Sequence, residues 1–249
     1  MIPLKFSNIS SRNFIGKLIR SPLALIPKTT VFPVLQGPAK GIKWIVGSGV
    51  HGLWLGSYEA DKQQLLTTFP LEGMTVLDIG ANVGFFSLLL SRLVGQKGHV
   101  ISFEPFPRNI DFIYQHIALN EVDNIDVRPV AIADKEGKAF FSSSEFHEQG
   151  YLAESGDLEV MVTTLDVMES QVSNVGFIKI DVEGAEVEVL KGGHNFFQKH
   201  RPIISLATHG KSQVISCREI LESYGYSMKM LSQDLYGLDC NEWLAIPIK

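Results

Sequence analysis

An α/β fold built on a mainly parallel sheet is predicted by three features of the sequence. Apolar runs of strand length recur at 75–79, 99–103, 125–130, 176–180, 202–207, 227–231 and 242–246. Stretches with helical apolar spacing fall between most of them, near 84–94, 107–119, 184–191 and 212–223. The strand runs are apolar almost throughout, as strands covered on both faces are. Seven strands with helices on both faces follow from that alternation. A chain of 249 residues, 45% of them apolar, is long enough to bury a full core.

The elements follow in chain order. Residues 1–58 carry seven Lys or Arg (Lys5, Arg12, Lys17, Arg20, Lys28, Lys40, Lys43) and no Asp or Glu. The remainder holds 15 basic and 27 acidic residues, a net of −12 within an overall −5. A basic arm thus precedes an acidic body. It suits peripheral contact with an anionic membrane surface, guidance of an anionic substrate, or packing on the acidic body. Residues 6–20 read as a short basic amphipathic helix ended by Ser21-Pro22, and prolines at 22, 27, 33 and 38 break regular structure beyond it. The stretch "GIKWIVGSGVHGLWLG", 41–56, reads as a β-hairpin. Residues 1–57 are therefore expected to form an arm and hairpin, and 58–249 the main domain. That domain opens with a helical stretch, "YEADKQQLLTTF". Residues 137–163 interrupt the later rhythm as a hairpin or insertion with a polar tip. Two cysteines, Cys217 and Cys240, are too few for a disulfide framework and imply a reducing, cytoplasmic setting. The N-terminus lacks a signal peptide's compact apolar segment, and no apolar run reaches the roughly 18 residues of a membrane span.

Ligands of such sheets bind beyond the carboxyl ends of the strands. The polar residues there are Asp78 to Gly84, Glu104-Pro105, Ala131 to Asp134, Asp181 to Glu183, and Thr208-His209. In "VLDIGANVGFFSLLL", 76–90, a strand, a glycine turn and a helix start succeed one another. That order is used to hold nucleotide-like ligands. A dinucleotide turn has three glycines, and here Asn82 stands at the middle one. Close approach of a pyrophosphate is disfavoured, whereas S-adenosylmethionine carries no phosphate. Glu104, 20 residues after Gly84, ends the next strand, where a carboxylate accepts hydrogen bonds from ribose hydroxyls of either ligand.

The chain resembles the FkbM-type S-adenosylmethionine-dependent methyltransferases in "DIGANVGFFS" (78–87), "FEPFPRN" (103–109), "TTLD" (163–166) and "IKIDVEGAEVEVLKG" (178–192). "LGSYE" (55–59) is similar to the segment leading into that domain. The resemblance covers about 55–246, and "KIDVEGAE" is its most specific part. It implies a Rossmann-like class I methyltransferase fold and methylation of a hydroxyl on a sugar, glycolipid or other secondary metabolite. It departs from the family at "SLATHG", 205–210, where an acidic residue is usual.

On this reading Gly80, Ala81, Asn82 and Gly84 shape the loop around the amino-acid part of the ligand. Asp78 orders that loop, and Glu59 meets the ligand's ammonium group. Glu104 binds the ribose, with Phe106 against the adenine or, equally, a plain core or staple aromatic. Asp134 joins the cofactor contacts. Gly80→Val is expected to block the ligand while sparing the fold. A hydroxyl acceptor must lose its proton, and Asp181, Glu183 and His209 are the candidates. Glu183 reads alternatively as a helix cap, and His209 as a structural histidine. Lys179, odd within an apolar strand, pairs with Asp181 or Glu186. Asp166 reads as a helix N-cap. No ligand spacing demands a metal. The expected acceptor is a small molecule or a glycan- or lipid-linked group. Nucleic acid is disfavoured by the acidic body and by the lack of an Asn/Asp-Pro-Pro-aromatic tetrapeptide. The competing functions are an NAD-dependent oxidoreductase and a cofactor-binding protein without turnover.

Overall fold

A computed structural model describes residues 23, 25–143, 150–153, 158–233 and 240–248. The helix expected over 6–20, with three of the arm's basic residues, lies outside them. The main sheet has seven strands: β3 (Thr75–Ile79), β4 (His99–Phe103), β5 (Ile125–Arg128), β10 (Val175–Ile180), β11 (Ile203–His209), β12 (Tyr226–Gln233) and β13 (Cys240–Pro247). Their order is β12-β13-β11-β10-β3-β4-β5. The pairs from β11 to β5 are parallel, and β13 runs antiparallel to both β11 and β12. The chain order reverses direction across β3 and β10, and that switch point sets where a ligand binds.

Period-two alternation assigns each strand residue to a face. Leu77, Ile79, Ile178, Ile180 and Leu206 join one core with Val189, Phe196, Phe197 and Leu221. Those four come from helices α4 (Glu186–Lys191), α5 (His194–His200) and α6 (Lys211–Ser223). Val76, Val100 and Phe177 face a second core with Leu88, Leu89 and Leu90 of helix α2 (Phe85–Val94). Helix α3 (Pro107–Asn120) begins with proline at its first position, where no N–H is needed.

Three local expectations need correction. Residues 41–56 are not a hairpin in themselves. Lys43–Ile45 (β2) pairs with Val31–Pro33 (β1), and Gly52–Leu55 closes a helical turn capped by Gly56 at φ 75°. Residues 184–185 are not helical, because Gly184 adopts φ 110° and α4 starts at Glu186. Helix α5 was not anticipated, and Asp166 caps its start from outside the helix. Thr164 Oγ1 caps the turn at Leu165–Met168 by accepting from Val167 N at 3.1 Å. The Asp166 carboxylate instead accepts from Phe196 N at 2.8 Å and from Asn195, at the start of α5.

Residues 137–163 form the insertion that broke the rhythm. Strands β7 (Gly137–Ser143), β8 (Gly150–Ala153) and β9 (Leu158–Thr163) make an antiparallel set, and β9 joins β6 (Ala131–Ile132) in parallel. The N-terminal segment shares the second core: Val34, Trp44, Val46, Leu53 and Trp54 are buried with Val76 and Leu88.

Candidate functional site

The glycine turn is built by close approach at two points. Gly80 adopts φ 79°, and a Cβ there would stand 1.9 Å from the carbonyl oxygen of Asp181. Only glycine lets the ends of β3 and β10 come this close. Gly80→Val therefore cannot spare the fold as the sequence suggested, since the obstruction is backbone of the neighbouring strand. Gly84, at φ 87°, packs on Ile113 of α3. Between them, Gly80 N and Ala81 N both donate to Phe103 O at 3.0 Å. His116 of α3 pins the turn from outside: its Nδ1 lies 2.9 Å from Val83 O, and its Nε2 accepts from Ile45 N at 3.3 Å. One neutral tautomer satisfies both contacts, and burial pushes the ring's pKa down to about 4. The ring also stacks on Trp44 at 3.7 Å, which ties β2 to the turn.

Above the turn lies a cavity of about 380 Å³, a size ordinary for small-molecule sites. Glu104 stands in its wall, 4% exposed. Its Oε2 accepts from Asn82 N at 2.7 Å, and its Oε1 from Phe106 N at 2.9 Å and Asn109 Nδ2 at 3.3 Å. Burial outweighs these donors and pushes its pKa up to about 7. Phe103, Val130 and Ile132 give the cavity apolar wall, and Ser48, Gly49, Val50, Leu53 and Tyr58 close it from the N-terminal segment.

A charged network lies beside the turn. Register sets Lys179 directly across from Asp78, and their charged groups meet at 3.5 Å. Ser87 Oγ also donates to Asp78 Oδ2 at 2.6 Å. Asp181 Oδ2 is 3.3 Å from Lys179 Nζ and 3.8 Å from Lys62 Nζ. Burial opposes its ionisation, but the two lysines and His209 hold it down at about 2. Lys62 sits on helix α1 (Ala60–Leu66) and reaches Glu59 at 2.6 Å and Glu242 of β13 at 2.7 Å. Both lysines lie over the Phe86 ring, at 5.4 and 5.3 Å. Burial disfavours both ammonium groups, and the surrounding carboxylates more than compensate, so both pKa values are raised.

His209, the last residue of β11, turns Nε2 toward Glu183 Oε2 at 3.2 Å and Asp181 Oδ1 at 3.9 Å. Its Nδ1 is 2.8 Å from Oε1 of Glu186, which is wholly buried. Glu183 holds φ 54° and is partly exposed, and burial raises its carboxyl pKa. Asp181, Glu183 and His209 each offer one donor atom, and these atoms lie within 4.8 Å of one another, so the three could share a cation.

The structure thus brings Gly80, Ala81, Asn82, Glu104, Asp181 and Glu183 to the cavity wall. Asp78 lies beneath the turn, and Gly84 packs on α3. Glu59 belongs to the lysine network, and His209 adjoins Asp181 and Glu183 without lining the cavity. Phe106 occupies the N-cap position of α3 and does not line it either. Asp134 is exposed and does not line the cavity. Lys179 pairs with Asp181, as one sequence alternative had it, and with Asp78 rather than Glu186. Sequence reasoning missed Tyr58, Lys62, Glu186 and Glu242. The only available hint was a strand-end residue, Glu242, charged within an apolar run.

These residues fit S-adenosylmethionine better than a dinucleotide. Glu104, Asp181 and Glu183 line the cavity against one basic residue, Lys179. That balance suits a cationic sulfonium and repels two phosphates. Glu104 carries a buried carboxylate of the type that accepts from a ribose diol.

Comparison with known proteins agrees. Residues 78–228 match the model of the methyltransferase FkbM domain. Methyltransferase 1 of Beauveria bassiana is 22% identical over 75% of this chain and 85% of its own length. Hexuronic acid methyltransferase AglP of Haloferax volcanii is 28% identical over 56% of this chain and 58% of its own. The crystal structure of methyltransferase FkbM from Methylobacillus flagellatus superposes with a TM-score of 0.54 at 18% identity. That match covers 71% of this chain, which spans only 44% of the length of that structure. With a family domain running from Asp78 at the glycine turn to Met228 on the outermost strand, the chain belongs to the FkbM methyltransferase family and uses S-adenosylmethionine as its cofactor.

Proposed function

We propose that this methyltransferase acts on oxygen, methylating a hydroxyl of a sugar or of a glycan- or lipid-linked metabolite. The carrying observation is the convergence of Asp181, Glu183 and His209 at the ends of β10 and β11, beside the cofactor turn. Bound S-adenosylmethionine supplies an activated methyl carbon, whose bond to sulfur breaks toward sulfur as the acceptor oxygen attacks. The turn at 80–84 holds the amino-acid part, Glu104 receives the ribose hydroxyls, and Asp181 and Glu183 in the cavity wall face the cationic end. What remains for the protein is to align the hydroxyl and receive its proton. Asp181 has Oδ2 turned to the lysines, so its Oδ1 and Glu183 are the acceptors in the cavity wall, with His209 behind Glu183 at 3.2 Å. A relative named a hexuronic acid methyltransferase supports a sugar acceptor.

The test is incubation of the purified chain with isotopically labelled S-adenosylmethionine and uronate-containing or neutral glycans, followed by identification of the labelled bond. A methyl ether is expected. Label recovered only as a methyl amine or a methyl ester would sink the hydroxyl assignment.

A further inference from the structure

We infer that Asp181 Oδ1, Glu183 Oε2 and His209 Nε2 form a binding site for a divalent first-row cation, with Glu186 as the buried carboxylate that aims the imidazole. This rests on the reading of these residues as the acceptor side of the methyl-transfer site. Donor spacing is the first support. An ion about 2.1 Å from each ligand spans donors roughly 3 to 4.2 Å apart, from neighbouring to opposite positions. His209 Nε2 stands 3.2 Å from Glu183 Oε2 and 3.9 Å from Asp181 Oδ1, inside that interval.

The second support is independent of the three ligands. Glu186 is wholly buried, and its Oε1 already accepts from Gly184 N at 2.9 Å. Its 2.8 Å contact with Nδ1 therefore places the imidazole proton on that nitrogen. The other ring nitrogen, Nε2, is thereby turned toward the two carboxylate oxygens, and in the neutral imidazole its lone pair is the one an ion would take. An ion bound there takes the place of the proton that the imidazolium would share with Glu183 and Asp181. Imidazole ligands of metals characteristically donate their other N–H to a carboxylate in this way.

Charge gives the third. Among the described residues, Asp78, Asp181, Glu183, Glu186, Glu59 and Glu242 stand in one connected network with Lys62, Lys179 and, when it is protonated, His209. Both lysines approach Asp181 from Oδ2, so they leave Oδ1 to the ion and do not occupy its place. Two carboxylates and one imidazole suit Mn²⁺ better than a closed structural zinc set, and they leave positions for an acceptor oxygen. A hydroxyl bound there would lose its proton more easily.

Mn²⁺ is the probe. The full chain, stripped with chelator and dialysed, is titrated while the free-ion signal is followed by electron paramagnetic resonance. One saturable site is expected. Glu183→Gln and His209→Gln should each weaken it at least tenfold, Glu186→Gln about tenfold, and Glu159→Gln on the surface not at all. Glu183 is partly exposed and Gln keeps its shape, so that variant tests the site even if the His209 change disturbs folding. S-adenosylmethionine binding is measured on the same samples by calorimetry. Cofactor binding without saturable Mn²⁺ binding overturns the metal site and leaves the methyltransferase reading intact. Mn²⁺ binding indifferent to both Glu183→Gln and His209→Gln overturns it as well.

Discussion

Glu104 combines burial, three protein donors and a raised pKa, so its charge changes within an accessible pH range. Ribose hydroxyls need an ionised acceptor, and the carboxyl is protonated below about 7. Affinity for S-adenosylmethionine should therefore rise with pH up to about 7 and then level off, falling about tenfold per unit on the acid side. Glu104→Gln should flatten that profile and weaken binding by about 1.5–3 kcal/mol, the worth of hydrogen bonds to a charged group. Calorimetry at pH 5.5 to 8.5 measures both, and an unchanged profile in the variant would remove Glu104 from the ligand. The residue was legible because a carboxylate ending the strand after a glycine turn has few other uses. Glu186 was not legible: nothing in "GAEVEV" says that this glutamate, rather than Glu188, turns inward to an imidazole 23 residues away.

At the scale of elements, one helix is fastened to the sheet by charge. Lys62 of α1 is buried and joins Glu59, Asp181 and Glu242, so it links the segment before the first core strand to the antiparallel strand β13. Removing one partner of a buried ion pair leaves uncompensated charge and costs about 3–5 kcal/mol. Lys62→Met should lose that much in urea unfolding, and adding Glu242→Gln should recover part of it. A loss below 1 kcal/mol in the single variant would mean that the network is hydrated. From sequence, α1 was visible as a helix, but nothing singled out Lys62, because its partners come from three separate places in the chain. The seven strands and four of the longer helices were legible, since apolar strand runs and helical periodicity are local properties. The β1–β2 pairing was not, because register across a proline-rich stretch is set by what the strands pack on. Helix α5 was hidden because its start is capped by Asp166, from outside the helix.

For the whole molecule, two buried groups oppose one another as pH falls. His116 has its folded pKa depressed to about 4 from 6.5, so its stabilisation is complete above 6.5 and is lost as pH falls toward 4. Glu104 is raised to about 7 from 4.5, so its contribution is complete below 4.5 and is lost as pH rises through 7. Each is worth roughly 3 kcal/mol, and between pH 7 and 4.5 they largely cancel. Glu104→Gln should uncover the histidine: without cofactor, the variant should lose about 3 kcal/mol relative to the parent on going from pH 7 to 4.5. Urea unfolding at stepped pH decides this, and parallel curves would refute it. Truncation separates arm from fold. Residues 1–22 should be removable with cofactor affinity kept, whereas removal of 1–40 should unfold the chain, because Val34 and Ala39 are core. Comparing the shorter truncation with the parent on anionic vesicles then tests the arm as a membrane contact, and equal sedimentation would exclude it.

The cavity wall formed by Ser48, Gly49, Val50, Leu53 and Tyr58, and the anchor at Glu59, Lys62 and Glu242, all fall outside the span that defines the family. On the proposed reading, the shared stretch carries the methyl donor's turn and strand ends, while the flanking stretches close the cavity on the side from which an acceptor would enter. A chimaera carrying residues 23–69 of this chain on another member's 78–228 region should keep donor affinity and change its acceptor preference.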